Sequence, residues 1–302
     1  MGLFELLRHL RKTCYHFITP TPKTHATVLA REPGREANTI VEVLGWSRPF
    51  RSGSIDQNIE VLLERAEVVE SVGEQKRATV RVATLGGNLF LHSAFPTTAA
   101  DSVFFGPDSY RFARFVQEQL AGASAQSIVD IGTGSGVGAV VAATLLPLAT
   151  VAMTDVNRAA LRFARINAAA AGFTPSLHCG DILADVSSPI DVAIANPPYI
   201  IDEAKRAYRD GGGLHGAELS LRMANAVLPR LKPGGRFLLY TGSAIIRGKD
   251  HFLESVRNAA AAASCKLTYY EIDPDVFGEE LEQAAYADVD RIAVVGAAFV
   301  RI

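Results

Sequence analysis

One stretch of this sequence reads Ile128-Val129-Asp130-Ile131-Gly132-Thr133-Gly134-Ser135-Gly136-Val137-Gly138. Its apolar start predicts a buried strand, and its glycines permit the tight turn by which a strand passes directly into a helix. Glycines also let a ligand approach the backbone, and the N-terminus of the following helix offers unpaired N–H groups. The stretch therefore predicts a ligand site where a strand meets a helix.

From about Gln126 onward, patterns typical of strands and of helices alternate along the chain. The segments that predict strands are 127–131, 150–154, 176–179, 191–195, 235–240, 266–272 and 291–300. The segments that predict helices are 137–146, 158–171, 217–231 and 251–264. Such alternation predicts an α/β fold with a doubly wound, mainly parallel sheet of seven strands, in a domain that we assign to residues 101–302.

Residues 1–100 have a different pattern and are predicted to form a small α+β accessory domain. Apolar residues at helical spacing predict an amphipathic helix at the start of the chain. Residues 19–34, which contain three prolines, predict a connecting loop. Two helical patterns and a hairpin pattern follow, over residues 37–46, 56–69, 78–85 and 88–95. The order of helix, helix and hairpin is similar to a winged helix.

The composition narrows the class of protein. The 302 residues carry a formal net charge of −2, without the basic excess that is usual in nucleic-acid-binding proteins. The three cysteines lie far apart and form no Cys-x-x-Cys pair, which argues against a disulfide framework and a zinc site. No apolar run approaches the length of a membrane span. The sequence thus predicts a cytoplasmic protein with no membrane and no metal partner.

Two classes of ligand fit the glycine-rich stretch. Gly134-x-Gly136-x-x-Ala139, with Asp155 about 20 residues further on, satisfies the dinucleotide-binding pattern. S-adenosylmethionine is the other class, and Asp155 suits either one because both ligands carry a ribose. Asp130 favours S-adenosylmethionine, since a carboxylate here repels a pyrophosphate and attracts the ammonium of a methionine moiety, directly or through water.

A third carboxylate follows the third predicted strand, in the segment His178-Cys179-Gly180-Asp181-Ile182. Asp181 can accept a hydrogen bond from an adenine amino group, with Ile182 against the ring. An aspartate at a strand end is by itself a common turn former. Because the carboxyl ends of successive parallel strands face one crevice, the three acidic strand ends together predict a single site.

The second informative stretch is Asn196-Pro197-Pro198-Tyr199, which follows the apolar run 190–195. Its two prolines remove two backbone donors and fix φ at both positions, and Pro198 also holds Pro197 extended. A rigid carbonyl therefore lies beside an amide side chain and an aromatic ring. This arrangement suits a substrate that has N–H donors and a flat face.

Together these segments resemble the class I S-adenosylmethionine-dependent methyltransferases, which have a Rossmann-like fold. Residues 129–136 are similar to their first motif, Thr154-Asp155 and Gly180-Asp181 to the next two, and residues 232–235 to the approach to the fifth strand. Asn196–Tyr199 resembles the Asn-Pro-Pro-Tyr motif of enzymes that methylate planar nitrogen. These include the HemK-type protein-glutamine methyltransferases and enzymes that methylate the amino groups of adenine and of guanine in ribosomal RNA.

The resemblance implies S-adenosylmethionine as the cofactor and S-adenosylhomocysteine as the product. It also implies that the Asn196 side chain and the Pro197 carbonyl accept the N–H bonds of the acceptor nitrogen, while Tyr199 stacks on the flat group. The residues that it assigns to the cofactor are Asp130, Gly132, Gly134, Gly136, Asp155, Val156, Asp181, Ile182 and Asn196.

Two departures from the HemK pattern leave the acceptor open among a protein glutamine, a nucleobase and a small metabolite. In residues 103–109, where that family has a Phe-x-Pro-Arg-Pro-type motif, Asp108 replaces the arginine and Ser109 the second proline. The predicted hairpin in the first 100 residues also differs from the helical bundle expected there. Residues 210–217, in contrast, resemble the glycine-rich loop that follows the HemK motif.

Two other functions compete with methyl transfer. The first is a nucleotide-cofactor-dependent reductase, which would explain the glycine spacing but not the presence of residues 196–199. A regulator that senses S-adenosylmethionine and binds DNA through a winged helix would be indicated by the loss of a motif residue, and none is lost. The sequence therefore predicts an S-adenosylmethionine-dependent N-methyltransferase.

Overall fold

The N-terminal part of the chain is built from helices and two short hairpins. The computed structural model describes residues 2–187 and 189–302. Within residues 2–100 the elements are α1 (Gly2–Lys12), α2 (Pro22–Ala30), α3 (Ile40–Leu44), α4 (Gln57–Arg65), β1 (Val69–Val72), β2 (Gln75–Ala78), β3 (Val80–Leu85) and β4 (Asn88–Ser93). The hairpins β1–β2 and β3–β4 form separate antiparallel pairs.

The rest of the chain alternates between helices and the strands of one sheet. Its elements before residue 200 are α5 (Pro107–Leu120), β5 (Ser127–Ile131), α6 (Val137–Leu145), β6 (Thr150–Asp155), α7 (Arg158–Ala171), β7 (Ser176–Cys179) and β8 (Ile190–Ala195). Those that follow are α8 (Glu218–Val227), β9 (Leu231–Ile246), β10 (Lys249–Asp250), α9 (His251–Ala262), β11 (Cys265–Asp273) and β12 (Arg291–Arg301).

The sheet confirms the predicted doubly wound, mainly parallel architecture. Its strands lie in the order β11-β12-β9-β8-β5-β6-β7, and the two-residue strand β10 pairs with β9. Pairing is parallel from β9 through β8, β5 and β6 to β7, whereas β12 is antiparallel to both of its neighbours. The strand order reverses at β5, which has β6 on one side and β8 on the other. Such a reversal opens a crevice outside the carboxyl ends of the strands.

Two apolar clusters fill the two faces of this sheet. Successive strand residues point to opposite faces, so Val192 and Ile194 of β8 join the cluster under α5 and α6, while Ala193 and Ala195 join the one under α8 and α9. Both faces are therefore covered, as parallel sheets require. The carboxyl ends of β5 and β8 emerge between these layers.

The N-terminal part packs directly on α7. Phe163, Ile166 and Ala170 of this helix contact the apolar cluster of residues 2–100. The buried Asn167 side chain accepts from the Leu91 N–H at 2.9 Å and donates to the Leu91 carbonyl at 3.1 Å. Its amide nitrogen also donates to the Ser135 carbonyl at 2.8 Å. A domain boundary at residue 100 remains a prediction, and the similarity to a winged helix remains one as well.

The prediction of a connecting loop over residues 19–34 was wrong, because α2 lies within it. The Thr21 side chain caps this helix by accepting from the Thr24 N–H at 3.1 Å. Pro22 occupies the first turn, where the missing N–H costs nothing. The helical pattern of residues 56–69 also ends early, at Arg65, and the chain then forms β1 and β2. Among the described residues, no helix has the length and apolarity to cross a membrane.

Candidate functional site

Strand register brings the two informative stretches of the sequence together. Ile131, the last residue of β5, pairs with Ala195, the last residue of β8. The next residues, Gly132 and Asn196, therefore emerge side by side at the crevice. On the other side of β5, Ile131 pairs with Thr154 of β6, which places Asp155 at the same edge. The fold thus assembles three segments that are far apart in sequence.

The segment 132–138, here called the glycine loop, has a backbone that requires glycine. Gly132, Gly134 and Gly136 have φ angles of 63°, 54° and 82°, in the left-handed region that side chains disfavour. A Cβ on Gly136 would also lie only 3.3 Å from the backbone and side chain of Ala164. The loop is fixed to the next strand by the Thr133 N–H, which donates to the Thr154 carbonyl at 2.9 Å. These constraints shape a loop whose backbone a ligand can approach.

Asp130 is turned into the protein under the glycine loop. Its side chain is 2% exposed, and one oxygen, Oδ2, accepts from the Thr133 hydroxyl at 2.7 Å and from the Ala139 N–H at 2.9 Å. Burial raises the pKa of this carboxyl to about 7. The observed bonds hold the loop onto the start of α6. Contact of Asp130 with the ammonium of a cofactor remains a prediction.

Asp155 fastens the other side of the glycine loop. Its Oδ2 accepts from the Gly134 N–H at 2.9 Å, and its Oδ1 accepts from the Asn157 N–H at 2.8 Å. Partial burial raises the pKa of this carboxyl. The neighbouring Val156 is 57% exposed. The strand end therefore presents a carboxylate, with an open apolar side chain next to it.

Asp181 and Ile182 follow β7 at the outer end of the crevice. Asp181 forms an exposed ion pair with Arg222 of α8, with 2.6 Å between Oδ2 and Nη2. The Ile182 carbonyl accepts from the Thr154 hydroxyl at 2.6 Å, which ties this turn to β6. The sequence pattern did not identify Arg222, because the two residues are 41 positions apart and share no motif.

Asn196, the first residue of the Asn-Pro-Pro-Tyr motif, has a side chain that is available to a ligand. Within residues 2–187 and 189–302, no hydrogen bond engages its amide, and the residue is partly exposed. Pro197 behind it is buried. An amide held at a strand end without an internal partner keeps its oxygen and nitrogen available for a ligand.

Tyr199 does not form the open stacking surface that the resemblance implied. Its side chain is 6% exposed, and its hydroxyl donates to Oδ2 of Asp108 at 2.5 Å. The ring lies on Gly242 of β9, where a Cβ would come within 2.1 Å of the ring Cδ2. Phe277 packs edge-on against it at a centroid distance of 5.8 Å. The tyrosine is therefore buried, and its hydroxyl binds a carboxylate from a helix that is distant in sequence.

Residues 210–217, here called the glycine strap, lie across the backbone of the motif. The Gly211 N–H donates to the Ile200 carbonyl at 2.8 Å. A Cβ on Gly211 would be 1.9 Å from the Gly216 carbonyl oxygen, and one on Gly216 would be 2.4 Å from the Tyr199 carbonyl oxygen. Only glycine allows such close contact, so the strap holds the motif from outside.

Four polar residues around the strap are tied to other segments. Glu218 accepts from the Gly213 N–H at 2.7 Å, and the Tyr208 hydroxyl donates to the Thr97 carbonyl at 2.8 Å. Arg209 forms an ion pair with Glu280, and His215 lies 3.2 Å from the carboxylate of Asp288. The walls beyond the motif therefore include residues near 97 and 280–288, which the sequence patterns did not indicate.

The residues at the crevice suit S-adenosylmethionine in chemistry. The left-handed glycines let a ligand approach the backbone, and the half-buried Asp155 presents a carboxylate at the strand end. Asp181 and Ile182 lie one strand further out, and Asn196 one strand to the other side. Within residues 2–187 and 189–302, no group of three or more histidine, cysteine or acidic side chains is arranged to hold a metal ion.

Several known proteins are similar to this chain in sequence. The profile of the family described as Methyltransferase small domain matches residues 104–246. Release factor glutamine methyltransferase of Bordetella pertussis is 32% identical over 224 residues, covering 70% of this chain and 82% of that protein. The protein of the same name from Deinococcus radiodurans is 29% identical over 211 residues, covering 68% of this chain and 74% of that protein.

Solved structures extend the similarity to the fold. Trm5b from Pyrococcus abyssi aligns with a TM-score of 0.52 at 15% identity, covering 78% of this chain and 62% of that one. The fold and crevice are those of a class I S-adenosylmethionine-dependent methyltransferase. Within that class, the chain belongs to the HemK-like, small-domain methyltransferase family. Its cofactor is S-adenosylmethionine.

Proposed function

We propose that this enzyme methylates a planar amide nitrogen of a protein glutamine, with Asn196 and Pro197 as the catalytic residues. The observation that carries the proposal is the Asn196 amide, which lies beside Gly132 and makes no hydrogen bond within the described chain. The two relatives that align over most of their length are both named glutamine methyltransferases. The net charge of −2 favours a protein acceptor over a nucleic acid.

An amide nitrogen is a poor nucleophile because its lone pair is delocalised into the carbonyl. If the Asn196 oxygen and the Pro197 carbonyl accept both N–H bonds, the nitrogen is held with its lone pair directed into the crevice. S-adenosylmethionine, when bound, supplies an electrophilic methyl group on a sulfonium that leaves as a neutral thioether. Positioning of this kind accounts for up to about 7–11 kcal/mol of barrier lowering in well-oriented reactions.

No strong base is needed in this scheme. The nitrogen becomes acidic once it carries the new methyl group, and its proton then passes to water or to the carbonyl that already accepts it. The two prolines contribute by removing backbone donors, since a nearby N–H would compete for the same carbonyl oxygens. The Pro197 carbonyl and the Asn196 side-chain oxygen can therefore accept the two N–H bonds of the acceptor nitrogen without competition from a proline N–H.

We assign the cofactor to the glycine loop and the acidic strand ends. The loop backbone faces the methionine moiety, Asp155 accepts from the ribose hydroxyls, and Asp181 with Ile182 binds the adenine. We assign Asp130 to shaping the loop from below, in keeping with its two internal hydrogen bonds. Val156 offers an apolar surface beside the ribose. These roles, like a cytoplasmic location, are part of the proposal.

The proposal is tested with tritiated S-adenosylmethionine and three acceptors: purified release factor, ribosomal subunits and naked ribosomal RNA. We expect label in a glutamine of a protein acceptor. Label in RNA would transfer the proposal to an amino nitrogen of a nucleobase. Phosphate contacts would then make acceptor affinity fall steeply with salt.

The decisive variant is Asn196→Ala. We expect it to lower the rate of methyl transfer by about 10³-fold, the upper range for loss of one positioned hydrogen-bonding group in a catalytic site. Cofactor affinity, measured by calorimetry, should remain within threefold. Asn225→Ala, which alters an exposed asparagine on α8, is the matched control. Unchanged transfer by Asn196→Ala would refute the assignment.

A further inference from the structure

We infer that Asp108 is a positioning residue for methyl transfer, which fixes Tyr199 and through it the Asn196-Pro197 edge that receives the acceptor nitrogen. The inference rests on the proposed function and adds a residue that no motif of the resemblance supplies. It concerns the position at which that resemblance expects an arginine. In this chain the position holds an acceptor of hydrogen bonds instead of a donor.

The Asp108 carboxylate joins three elements of the fold. It lies at the start of α5 and is 6% exposed. Its Oδ2 accepts from the Tyr199 hydroxyl at 2.5 Å, and its Oδ1 accepts from the Tyr240 hydroxyl of β9 at 3.1 Å. Arg111 donates to Oδ1 at 3.2 Å. Every strong partner of this carboxylate is therefore a donor, and two of them are buried tyrosines.

The surroundings of Asp108 compensate its charge. Arg111 lies one helical turn further along α5 and bridges to Asp273 of β11 at 2.8 Å. The first turn of a helix also favours a negative charge, because its N–H groups point outward. A buried carboxylate with a cation, two hydroxyls and a helix start around it is well satisfied. Removal of this carboxylate would leave two buried hydroxyls without their acceptor, which is unfavourable.

The position of Tyr199 is coupled to that of Asn196 because the chain between them is stiff. Pro197 and Pro198 have fixed φ angles, so a shift of the tyrosine moves the motif as a unit. The other contacts of Tyr199 include Gly216 at its backbone, Gly242 under its ring and Phe277 edge-on against the ring. None of these three residues binds its hydroxyl, whereas Asp108 does.

A small displacement at this edge has a large effect on the reaction. A misplacement of about 1 Å in a reacting group costs roughly 10²-fold in rate. We therefore expect Asp108 to act on the transfer step and not on cofactor binding, since the residues that we assign to the cofactor lie at the carboxyl ends of β5, β6 and β7. A purely structural role would instead lower stability and leave the transfer rate of the folded enzyme unchanged.

The test compares two hydroxyls that bind the same carboxylate. Tyr199→Phe and Tyr240→Phe remove equivalent, buried groups, but only Tyr199 belongs to the motif. We expect Tyr199→Phe to lower the single-turnover transfer rate at least tenfold, and Tyr240→Phe to change it by less than threefold. Asp108→Ala should lower it about 10²-fold, and Asp108→Asn, which retains one acceptor oxygen, should recover part of that loss.

The rates are measured with the full-length enzyme, saturating tritiated S-adenosylmethionine and a mixture of release factor, ribosomal subunits and ribosomal RNA as the acceptor probe. Melting temperature and cofactor affinity are measured for each variant. Equal effects of the two tyrosine variants, or a transfer rate within threefold for Asp108→Ala, would overturn the inference. If Asp108→Ala does not fold, the tyrosine pair decides. A fully active Asn196→Ala refutes the proposed function separately, whatever Asp108 does.

Discussion

The two sides of the crevice are built by different means. The glycine loop is shaped by backbone conformation, with three left-handed glycines, and by two aspartates. Asp155 accepts from the Gly134 N–H, and Asp130 accepts from the Thr133 hydroxyl and from the Ala139 N–H of α6. The Asn-Pro-Pro-Tyr motif is held by side chains and by steric fit, with Asp108 at its tyrosine and the glycine strap over its backbone. The loop is therefore held by hydrogen bonds from neighbouring strand ends, whereas the motif is held by contacts with residues far away in the sequence.

Among the changes that test this difference between the loop and the motif, we expect Gly211→Ala to have the largest effect. A Cβ at this position would lie 1.9 Å from the Gly216 carbonyl oxygen, so the strap must move away from the motif. We expect methyl transfer to fall by more than 10²-fold, with cofactor affinity unchanged. Transfer assays and calorimetry check this. Gly213→Ala is the control, because its Cβ would meet only the flexible Glu218 carboxylate, at 3.1 Å. Equal loss in both variants would contradict the prediction.

We expect a smaller effect of pH on the stability of the protein, through the titration of Asp130 under the glycine loop. Burial raises the pKa of Asp130 to about 7 in the folded protein, above the value near 4 of an unfolded chain. Between these values the folded state retains a proton that the unfolded state loses, so stability falls as pH rises from about 4 to 7. We expect the wild type to lose about 2–3 kcal/mol relative to Asp130→Asn between pH 5 and pH 8. Urea unfolding at both pH values measures this, and parallel curves would exclude it.

The smallest effect that we expect is a loss of cofactor affinity when Asp155 is replaced. Its carboxylate binds the Gly134 N–H and, in our proposal, the ribose of the cofactor. Asp155→Ala should weaken cofactor binding by about 30-fold, equivalent to about 2 kcal/mol for charged hydrogen bonds. Asp181→Ala should weaken it by less than fivefold, because Asp181 is exposed and already paired with Arg222. Calorimetric titration separates the two, and the reverse order would show that the adenine end dominates.

Much of the fold could be predicted because its signals are local. Strands β5 and β7 and helix α7 begin and end where apolar runs, glycine and Asn157 indicate. The position of the crevice also followed from the sequence, since parallel strands place their carboxyl ends along one edge. The error over residues 19–34 came from treating proline as a breaker, although Pro22 begins a helix.

The parts of the site that could not be predicted depend on contacts between distant residues. The burial of Tyr199 is decided by Asp108, 91 positions earlier, and by Gly242 beneath the ring. No spacing rule connects these residues, and the motif alone gave the tyrosine an open face. The glycine strap is a similar case. Its glycines are recognisable in the sequence, but their close approach to Tyr199 is visible only in the structure.

The side chain of Asn167 constrains any exchange of the N-terminal part of this enzyme. It holds Leu91 of the accessory part and Ser135 of the glycine loop with a single amide. A transplanted N-terminal module would therefore have to supply its own backbone partner for that amide and cover the apolar side of α7. Exchange of the N-terminal part therefore requires a matched apolar interior and a partner for the Asn167 amide, which a longer linker does not supply.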